Sequence, residues 1–312
     1  MEIIVKEDQL IWFSAHIFVK DTNNLIRRLG GWLKDKKQFH LRNYDSGKNV
    51  ILIFGVKSDE EKQSLKLELN EQLGTIITKP QNTNHFDENP KTSWFLLKPQ
   101  NHFEFSKEFF FDIMEVGGTE NLKIAKDFFV LVSSVVQGFI YEDEDYNSEN
   151  YINESIVITV CLVKFMTNSR VDFNQFFHYL FNKTVNSLDL GEEDKKVLNN
   201  GLEETFSSQR EGISGFIDSV YEMLDTPNEI EEEWLGKFAN GFVELGEEFK
   251  KIKIMNAYFT PEGFKFNPSY ESSFEDQELW PVIEYFVRTI NNVFDISNGE
   301  ELNQLYILNL VN

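Results

Sequence analysis

Cysteine is almost absent from this chain of 312 residues, which has Cys161 alone. A single cysteine excludes an intrachain disulfide. Proteins without disulfides are typical of a reducing compartment, so we expect a cytoplasmic location. Cys161 lies within the apolar run IVITVCLVKFM, and this setting favours buried packing over a nucleophilic role.

The motifs of cofactor and metal chemistry are also missing. The sequence has no P-loop, G-x-G-x-x-G, C-x-x-C, H-E-x-x-H, EF-hand loop or G-x-S-x-G. Its five histidines are scattered, so a metal site is not expected. Carboxylate pairs are so common in this acidic chain that their spacing singles out none of them. We therefore predict no cofactor and no metal, and motifs alone indicate no reaction.

Basic residues are few, because 30 Lys and Arg stand against 52 Asp and Glu and give a net charge of −22. This balance argues against a direct nucleic-acid partner and against a membrane surface, since phosphate contacts need clustered cations. Solubility is the favoured interpretation of the charge, and a basic peptide or protein partner is the alternative. The start, MEIIVKEDQ, lacks the features of a signal peptide, and no apolar run reaches the ~18–20 residues that a membrane span needs.

Phenylalanine is abundant, with 30 residues in a chain that is 41% hydrophobic. This length and composition predict a folded protein with a sizeable aromatic core. Residues 9–75 predict a strand, a helix, a two-stranded hairpin and a second helix, with Asp21-Thr22 and Ser58 as helix caps. The predicted class is therefore α+β, with an antiparallel sheet near the start.

The pattern after residue 151 is mainly helical, with apolar residues at helical spacing in successive segments. The run around Cys161 fits a buried helix, although its β-branched residues also allow a strand. The acidic segment EDEDYNSEN separates the two halves, and we interpret it as a solvated connector rather than a grip on a basic partner. We predict an α+β portion over residues 1–141 and a helical portion over residues 151–312, packed as one compact unit.

Three segments in order carry a family resemblance. The first is the hairpin QFHLRNYDSGKNVILIF, which follows the spacing W-F-F-I-R-Y-x-D-x-G-x-H-I-R-L-R-F. The second is FFFDIMEVGGTENLKIAKDFFVLVSSVV, with its Gly-Gly and the helix that follows, and the third is VRTINNVFDISNGEELNQLYIL. Together they resemble the lantibiotic dehydratase C-terminal family, also described as the thiopeptide-type bacteriocin biosynthesis domain. The matching residues of the first and third segments are Phe39, Leu41, Arg42, Asp45, Gly47, Val50, Leu52, Phe54, Asn291, Phe294, Ser297 and Asn298.

The resemblance implies a role in the maturation of a ribosomally synthesised peptide. In full-length lanthipeptide dehydratases of this kind, a large domain glutamylates Ser or Thr with glutamyl-tRNA, and the small C-terminal domain eliminates glutamate. Stand-alone relatives in thiopeptide pathways join dehydroalanines into a pyridine ring. A chain of 312 residues has room only for the small domain. The implied partners are therefore a precursor peptide and a separate glutamylating dehydratase.

The sequence departs from the family at the cationic positions. Arg42 is retained and is the one residue that the resemblance assigns to catalysis. The hairpin's histidine and two further arginines are replaced by residues of the segment Asn49–Ile53. The remaining departures are Phe111 and Glu115 in the second segment, and Val287 and Asn292 in the third.

Three interpretations remain open at this point. The first is a lyase-like enzyme that eliminates glutamate or cyclises a dehydrated peptide, with Arg42 in the site. The second is a non-catalytic subunit that binds the precursor or the dehydratase. The third is that the resemblance is architectural only. The lost cations favour the second interpretation over conventional elimination, because the departing carboxylate needs positive donors.

Overall fold

The computed structural model describes residues 10–43, 48–77, 101–105, 122–167, 169–226, 230, 233–249, 256–260, 263–267 and 280–310. An antiparallel sheet near the start is followed by helices, so the predicted α+β class is confirmed. The chain divides into two compact units. The first unit comprises residues 1–111 and 129–146, and the second comprises residues 112–128 and 147–312.

The elements follow one another along the chain with these bounds. The strands are β1 (Ile11–Phe18), β2 (Gln38–Asn43), β3 (Asn49–Val56), β4 (His102–Phe105), β5 (Asn256–Thr260) and β6 (Gly263–Asn267). The helices are α1 (Thr22–Leu33), α2 (Asp59–Ile76), α3 (Leu122–Glu142), α4 (Ile152–Met166), α5 (Arg170–Ser187), α6 (Glu192–Phe206), α7 (Arg210–Met223), α8 (Glu233–Phe249), α9 (Trp280–Phe294) and α10 (Asn298–Asn309).

The sheet of the first unit has the strand order β2-β3-β1-β4, and each neighbouring pair is antiparallel. The predicted hairpin is β2–β3, in which Arg42 lies opposite Val50. Both predicted caps are confirmed. Asp21 accepts the backbone N–H of Asn24 at 2.9 Å, and Ser58 accepts that of Glu61 at 3.2 Å. Capped first turns fix where α1 and α2 leave the sheet.

Aromatic side chains fill the core of the first unit. Phe13 stacks on Phe54 across β1 and β3 with ring centroids 5.5 Å apart, and Phe39 of β2 lies 5.7 Å from Phe129 of α3. All four are fully buried. The close packing also explains Gly55, because a Cβ there would lie 2.9 Å from the Trp12 indole. Part of the phenylalanine content of the sequence therefore lies in the core of the first unit.

The second unit is built on α4, whose segment Val160–Val163 is fully buried. The β-branched run that left helix and strand open is a helix, since burial among other helices overrides its weak intrinsic preference. Phe128, at the start of α3, contacts Phe242 and Phe286 with centroids 5.8 and 5.3 Å apart. The apolar stripes predicted for the later helices accordingly pack inward.

The structure differs from the sequence predictions at the hairpin β5–β6 and at α3. The hairpin β5–β6 was not predicted, and it interrupts the helical second half. The statement that no stretch is long enough to span a membrane was wrong, because α3 has sufficient length and apolar character. However, 56% of its most apolar window is buried, as in a core helix, so it is a weak indication of a membrane. The sequence also predicts a strand over TSWFLLKP, residues 92–99, and a helix cap at Thr119, and both lie outside the described residues.

Candidate functional site

The candidate site of the first unit is one face of β2, where polar residues alternate along the strand. Gln38, His40 and Arg42 point to the same side, because side chains of a strand alternate with a period of two. All three are buried, with 4%, 0% and 4% of their surface exposed. We call this set the polar face of β2. Buried polar groups are costly unless they are hydrogen-bonded, so their partners define what this face can do.

Arg42 is held by the first turn of α1. One guanidinium nitrogen donates to the Thr22 hydroxyl at 2.6 Å, and the other terminal nitrogen donates to the Asn23 side-chain oxygen at 2.8 Å. Thr22 is itself buried. Because two terminal nitrogens are engaged in a fixed direction, the planar fork is anchored between β2 and α1. The one residue that the resemblance assigned to catalysis thus has a clear structural role in this unit.

His40 and Gln38 form a second hydrogen-bonded group with α3. The Gln38 amide donates to the Gln137 side-chain oxygen at 2.8 Å, and the Gln137 amide lies 3.1 Å from the Gln38 oxygen and 3.2 Å from His40 Nδ1. The His40 backbone N–H donates to the Ser133 hydroxyl at 3.1 Å. Because β2 is an edge strand, this last bond satisfies a backbone donor that the sheet leaves unpaired.

Sequence reasoning missed this network, although a signal for it is present. Gln38, His40 and Arg42 occupy alternate positions of a segment predicted as a strand, with apolar Phe39 and Leu41 between them. That pattern normally indicates a solvent-facing side. Here α1 and α3 cover the polar side. The polar residues of these two helices, which lie far away in sequence, are the hydrogen-bond partners of β2. An imidazole can hold or transfer a proton, so His40 and Arg42 are the chemically capable groups of this face.

The other family positions of the hairpin have become core. Val50, Leu52 and Ile53 are fully buried, and Asn49 and Ile51 are nearly so. These residues replace the family's histidine and arginines with side chains that pack inside the sheet. Two cavities of the first unit, of about 570 and 270 Å³, are lined by residues other than Arg42 and His40. Neither cavity therefore places a ligand against the retained arginine.

In the second unit, the position that carries histidine in the family is Val287, which is fully buried in α9. The adjacent Arg288 is turned away and forms ion pairs with Glu284 at 3.1 Å and Glu301 at 3.2 Å. Burial raises the pKa of Glu301, and the Arg288 guanidinium opposes that shift. Arg288 is therefore committed to neutralising two carboxylates of its own unit and does not replace the missing histidine.

Asn291 of the third segment belongs to another buried network. The Ser155 hydroxyl donates to the Asn291 side-chain oxygen at 3.3 Å and accepts the Gln304 amide at 2.9 Å. This network joins α4, α9 and α10. The matched residue Ser297 caps α10 in a capping box with Glu300. These matched positions thus serve packing and helix termination.

A metal site and a nucleophilic cysteine are two further kinds of site to consider. Within those residues, no group of three or more His, Cys, Asp and Glu is arranged to hold a metal ion. Cys161 is fully buried, and burial raises the pKa of its thiol to about 12. A thiol in that state is a poor nucleophile. The second-segment positions Phe111 and Glu115 lie outside the described residues.

Comparison with known proteins gives a fold but no sequence relative. No family model matches the sequence, and no curated protein matches it. Among solved structures, the pyridine synthase TbtD from thiomuracin biosynthesis has a TM-score of 0.57 at 10% identity, covering 96% of both chains. TsrL has a TM-score of 0.57 at 11% identity, covering 96% of this chain and 93% of its own.

A third structure extends the comparison to a much larger protein. The tRNA-dependent lantibiotic dehydratase MibB from Microbispora sp. 107891 has a TM-score of 0.56 at 10% identity. The match covers 99% of this chain but only 28% of MibB. The chain therefore shares a fold with proteins of thiopeptide and lantibiotic biosynthesis, and at these identities the likeness concerns the fold alone.

Proposed function

We propose that this chain takes part in the maturation of a ribosomally synthesised peptide, as a stand-alone subunit that binds the precursor. It would work in the cytoplasm beside a separate glutamylating dehydratase. Two observations support this class of function. The fold is shared with a pyridine synthase over nearly the full length of both chains, and with part of a lantibiotic dehydratase. The three ordered segments of the sequence point to the same family.

The anchoring of Arg42 favours binding over glutamate elimination. Elimination needs a base for the α-proton and cationic donors for the enolate and the departing carboxylate. Arg42 is 4% exposed and donates to Thr22 and Asn23, so its guanidinium is already used inside the first unit. The family's histidine position is the buried Val287. Two of the positions that the resemblance assigns to the site, Arg42 and Val287, therefore offer no accessible cation, and the non-catalytic role rests on this observation.

Cyclisation of a dehydrated peptide is the second candidate. The pyridine synthase TbtD matches this chain from end to end, with 96% of each chain covered, whereas the chain spans 28% of MibB. Ring formation from dehydroalanines involves no departing glutamate, so the loss of carboxylate-binding arginines weighs less against it. The two candidates differ in a measurable way, because only cyclisation changes the peptide.

One experiment separates these roles. The purified chain is incubated with the precursor peptide encoded beside its gene, in glutamylated and dehydrated forms, and both binding and peptide mass are followed. Binding without a mass change is expected. Loss of glutamate from the first form, abolished in a folded Arg42→Ala variant, would instead establish elimination. A mass change in the dehydrated form would establish cyclisation. The absence of a precursor and a dehydratase among neighbouring genes would contradict the whole proposal.

A further inference from the structure

The second unit has an apolar groove along α7 that packing within the described residues leaves open. It consists of two cavities, of about 490 and 430 Å³, that share Phe216 and Asn153. Ile156, Phe206, Ile213 and Ile307 line the first cavity. Val157, Met223, Trp234 and Leu235 line the second. We call the two together the α7 groove. Cavities of this volume fall within the usual size of ligand sites.

Phe216 lies at the junction of the two cavities and is 38% exposed. Its neighbour Ile217 is fully buried, so α7 is docked by one face and presents a phenylalanine on another. A large aromatic group that borders open apolar space is typical of a binding surface. Two cavities on either side of one ring offer places for two apolar side chains of a partner.

Two glycines of α7 border space that no described side chain occupies. Gly212 lines the first cavity, and a Cβ added there or at Gly215 would meet nothing within 4 Å. Glycine is less favourable than alanine inside a helix. No packing contact accounts for that cost at Gly212. A substitution at this position can therefore occupy the cavity without disturbing the core.

The charge around the groove indicates what would bind in it. The described segment 189–226, which includes α7, carries ten acidic and three basic side chains. Lys237 is ion-paired with Glu233, and Asp218 of α7 is paired with Arg170 of α5. Glu211 and Glu222 are exposed on α7 itself. An apolar groove in so acidic a region favours a positively charged ligand with apolar side chains.

The dimensions of the groove fit a peptide segment. From Gly212 to Met223, α7 rises about 17 Å, a distance that an extended peptide covers in about five residues. Two adjoining cavities along one helix suit individual side chains of a peptide, whereas a folded partner typically covers a broad surface of roughly 800 Å². We propose that the α7 groove binds an extended, basic segment of the precursor peptide through two apolar anchors. This inference rests on the proposed function for the identity of the peptide.

The test uses a fluorescein-labelled peptide, Lys-Phe-Lys-Leu-Lys, and the full-length chain in an anisotropy titration. Two matched peptides are compared, one with Glu in place of each Lys and one with Ser in place of Phe and Leu. We expect the basic apolar peptide to bind at least about tenfold more tightly than either, because the Ser peptide lacks both apolar anchors and the Glu peptide brings negative charge to an acidic surface. Equal binding of the acidic peptide would overturn the proposal.

Variants locate the binding site. Gly212→Leu fills the first cavity, and Phe216→Ala removes the ring between the two, so each should weaken binding by about tenfold. Gly201→Leu is the control, because Gly201 is an exposed α6 glycine whose Cβ would also meet nothing within 4 Å. Circular dichroism checks that each variant is folded. Binding that survives both groove variants would overturn the proposal.

Competition with the natural precursor separates this inference from the proposed function. Displacement of the labelled peptide by the precursor is expected. A precursor that binds the chain without displacing the peptide would overturn the assignment of the groove and leave the proposed function intact. A precursor that does not bind at all would contradict the proposed function, whereas the measured preference of the groove for a basic apolar peptide would stand.

Discussion

The polar face of β2 is buried, whereas the α7 groove exposes apolar groups. On β2, a cation, an imidazole and an amide are buried and hydrogen-bonded to neighbouring helices. On α7, an aromatic ring and an unfilled glycine border open space. The first region carries the sequence resemblance and is buried, whereas the second carries no motif and is open. A motif residue therefore marks a site only where the surrounding helices leave it accessible.

The two regions also differ in the sign of their charged side chains. Residues 20–57, which include β2, carry nine basic and three acidic side chains, although the whole chain has a net charge of −22. The described segment 189–226 carries ten acidic and three basic ones. The overall charge, interpreted as solubility, hides two regions of opposite sign. The α7 groove is lined in part by residues of the acidic segment, which is the basis for proposing a basic ligand there.

Replacing Arg42 tests whether the closed region depends on its buried cation. Arg42→Ala should lower the free energy of unfolding by about 3 kcal/mol, because two charge-assisted hydrogen bonds are lost and their acceptors, the buried Thr22 and the half-buried Asn23, are left without this donor. Urea denaturation measures the change. Arg28→Ala, at an exposed position of α1, should change it by less than about 0.5 kcal/mol. An Arg42→Ala variant of full stability would contradict the structural role.

Val287→His tests whether restoring the family's histidine recreates a site or disrupts the core. We expect a loss of about 2 kcal/mol, because a larger and polar ring enters a fully buried position. Thermal or urea unfolding reports the loss. A stable Val287→His variant that gains eliminating activity would show that the position still faces a reactive site.

A pair of glycine substitutions compares the open helix with the packed sheet. Gly215→Ala in α7 should stabilise the protein by about 0.5–1 kcal/mol, because the added methyl enters open space and the helix gains propensity. Gly55→Ala in β3 should be destabilising, because its Cβ would lie 2.9 Å from the Trp12 ring. Unfolding curves of the two variants should therefore shift in opposite directions, and shifts of the same sign would contradict the contrast.

Cys161 provides a pH test of burial. Burial raises the pKa of its thiol to about 12, so the native chain should not react with a thiol reagent at about pH 8, whereas the denatured chain should react fully. The unfolded thiol ionises first as pH rises. Stability from this group is therefore complete below the ordinary thiol pKa and is lost as pH rises towards about 12. Rapid labelling of the native chain would show that α4 opens or is misplaced.

Much of the first unit was predictable, because its signals are local. The caps Asp21 and Ser58 and the alternating hairpin depend on residues close in sequence, and the structure confirms them. The hairpin β5–β6 was missed even though Phe264 and Phe266 flank Lys265 with a strand period. The surrounding helical segments directed the interpretation away from that short pattern.

The functional features depended on contacts distant in sequence and could not be predicted in the same way. Whether the Arg42 guanidinium is available to a ligand depends on the side chains of Thr22 and Asn23, about 20 residues earlier. Phe216 and Ile217 are adjacent apolar residues of one helix, and only the packing of neighbouring helices decides which of them is exposed. The sequence reveals which chemistry is available, and tertiary packing decides which part of it is accessible.

The most direct test follows the glutamylated precursor peptide with the unmodified chain and with Gly212→Leu, measuring dissociation constant and peptide mass in the same samples. We predict that the unmodified chain binds the peptide without removing glutamate, and that Gly212→Leu weakens binding by about tenfold. Removal of glutamate by both proteins with equal affinity would contradict the account, because it would require an open catalytic site and a groove without a role.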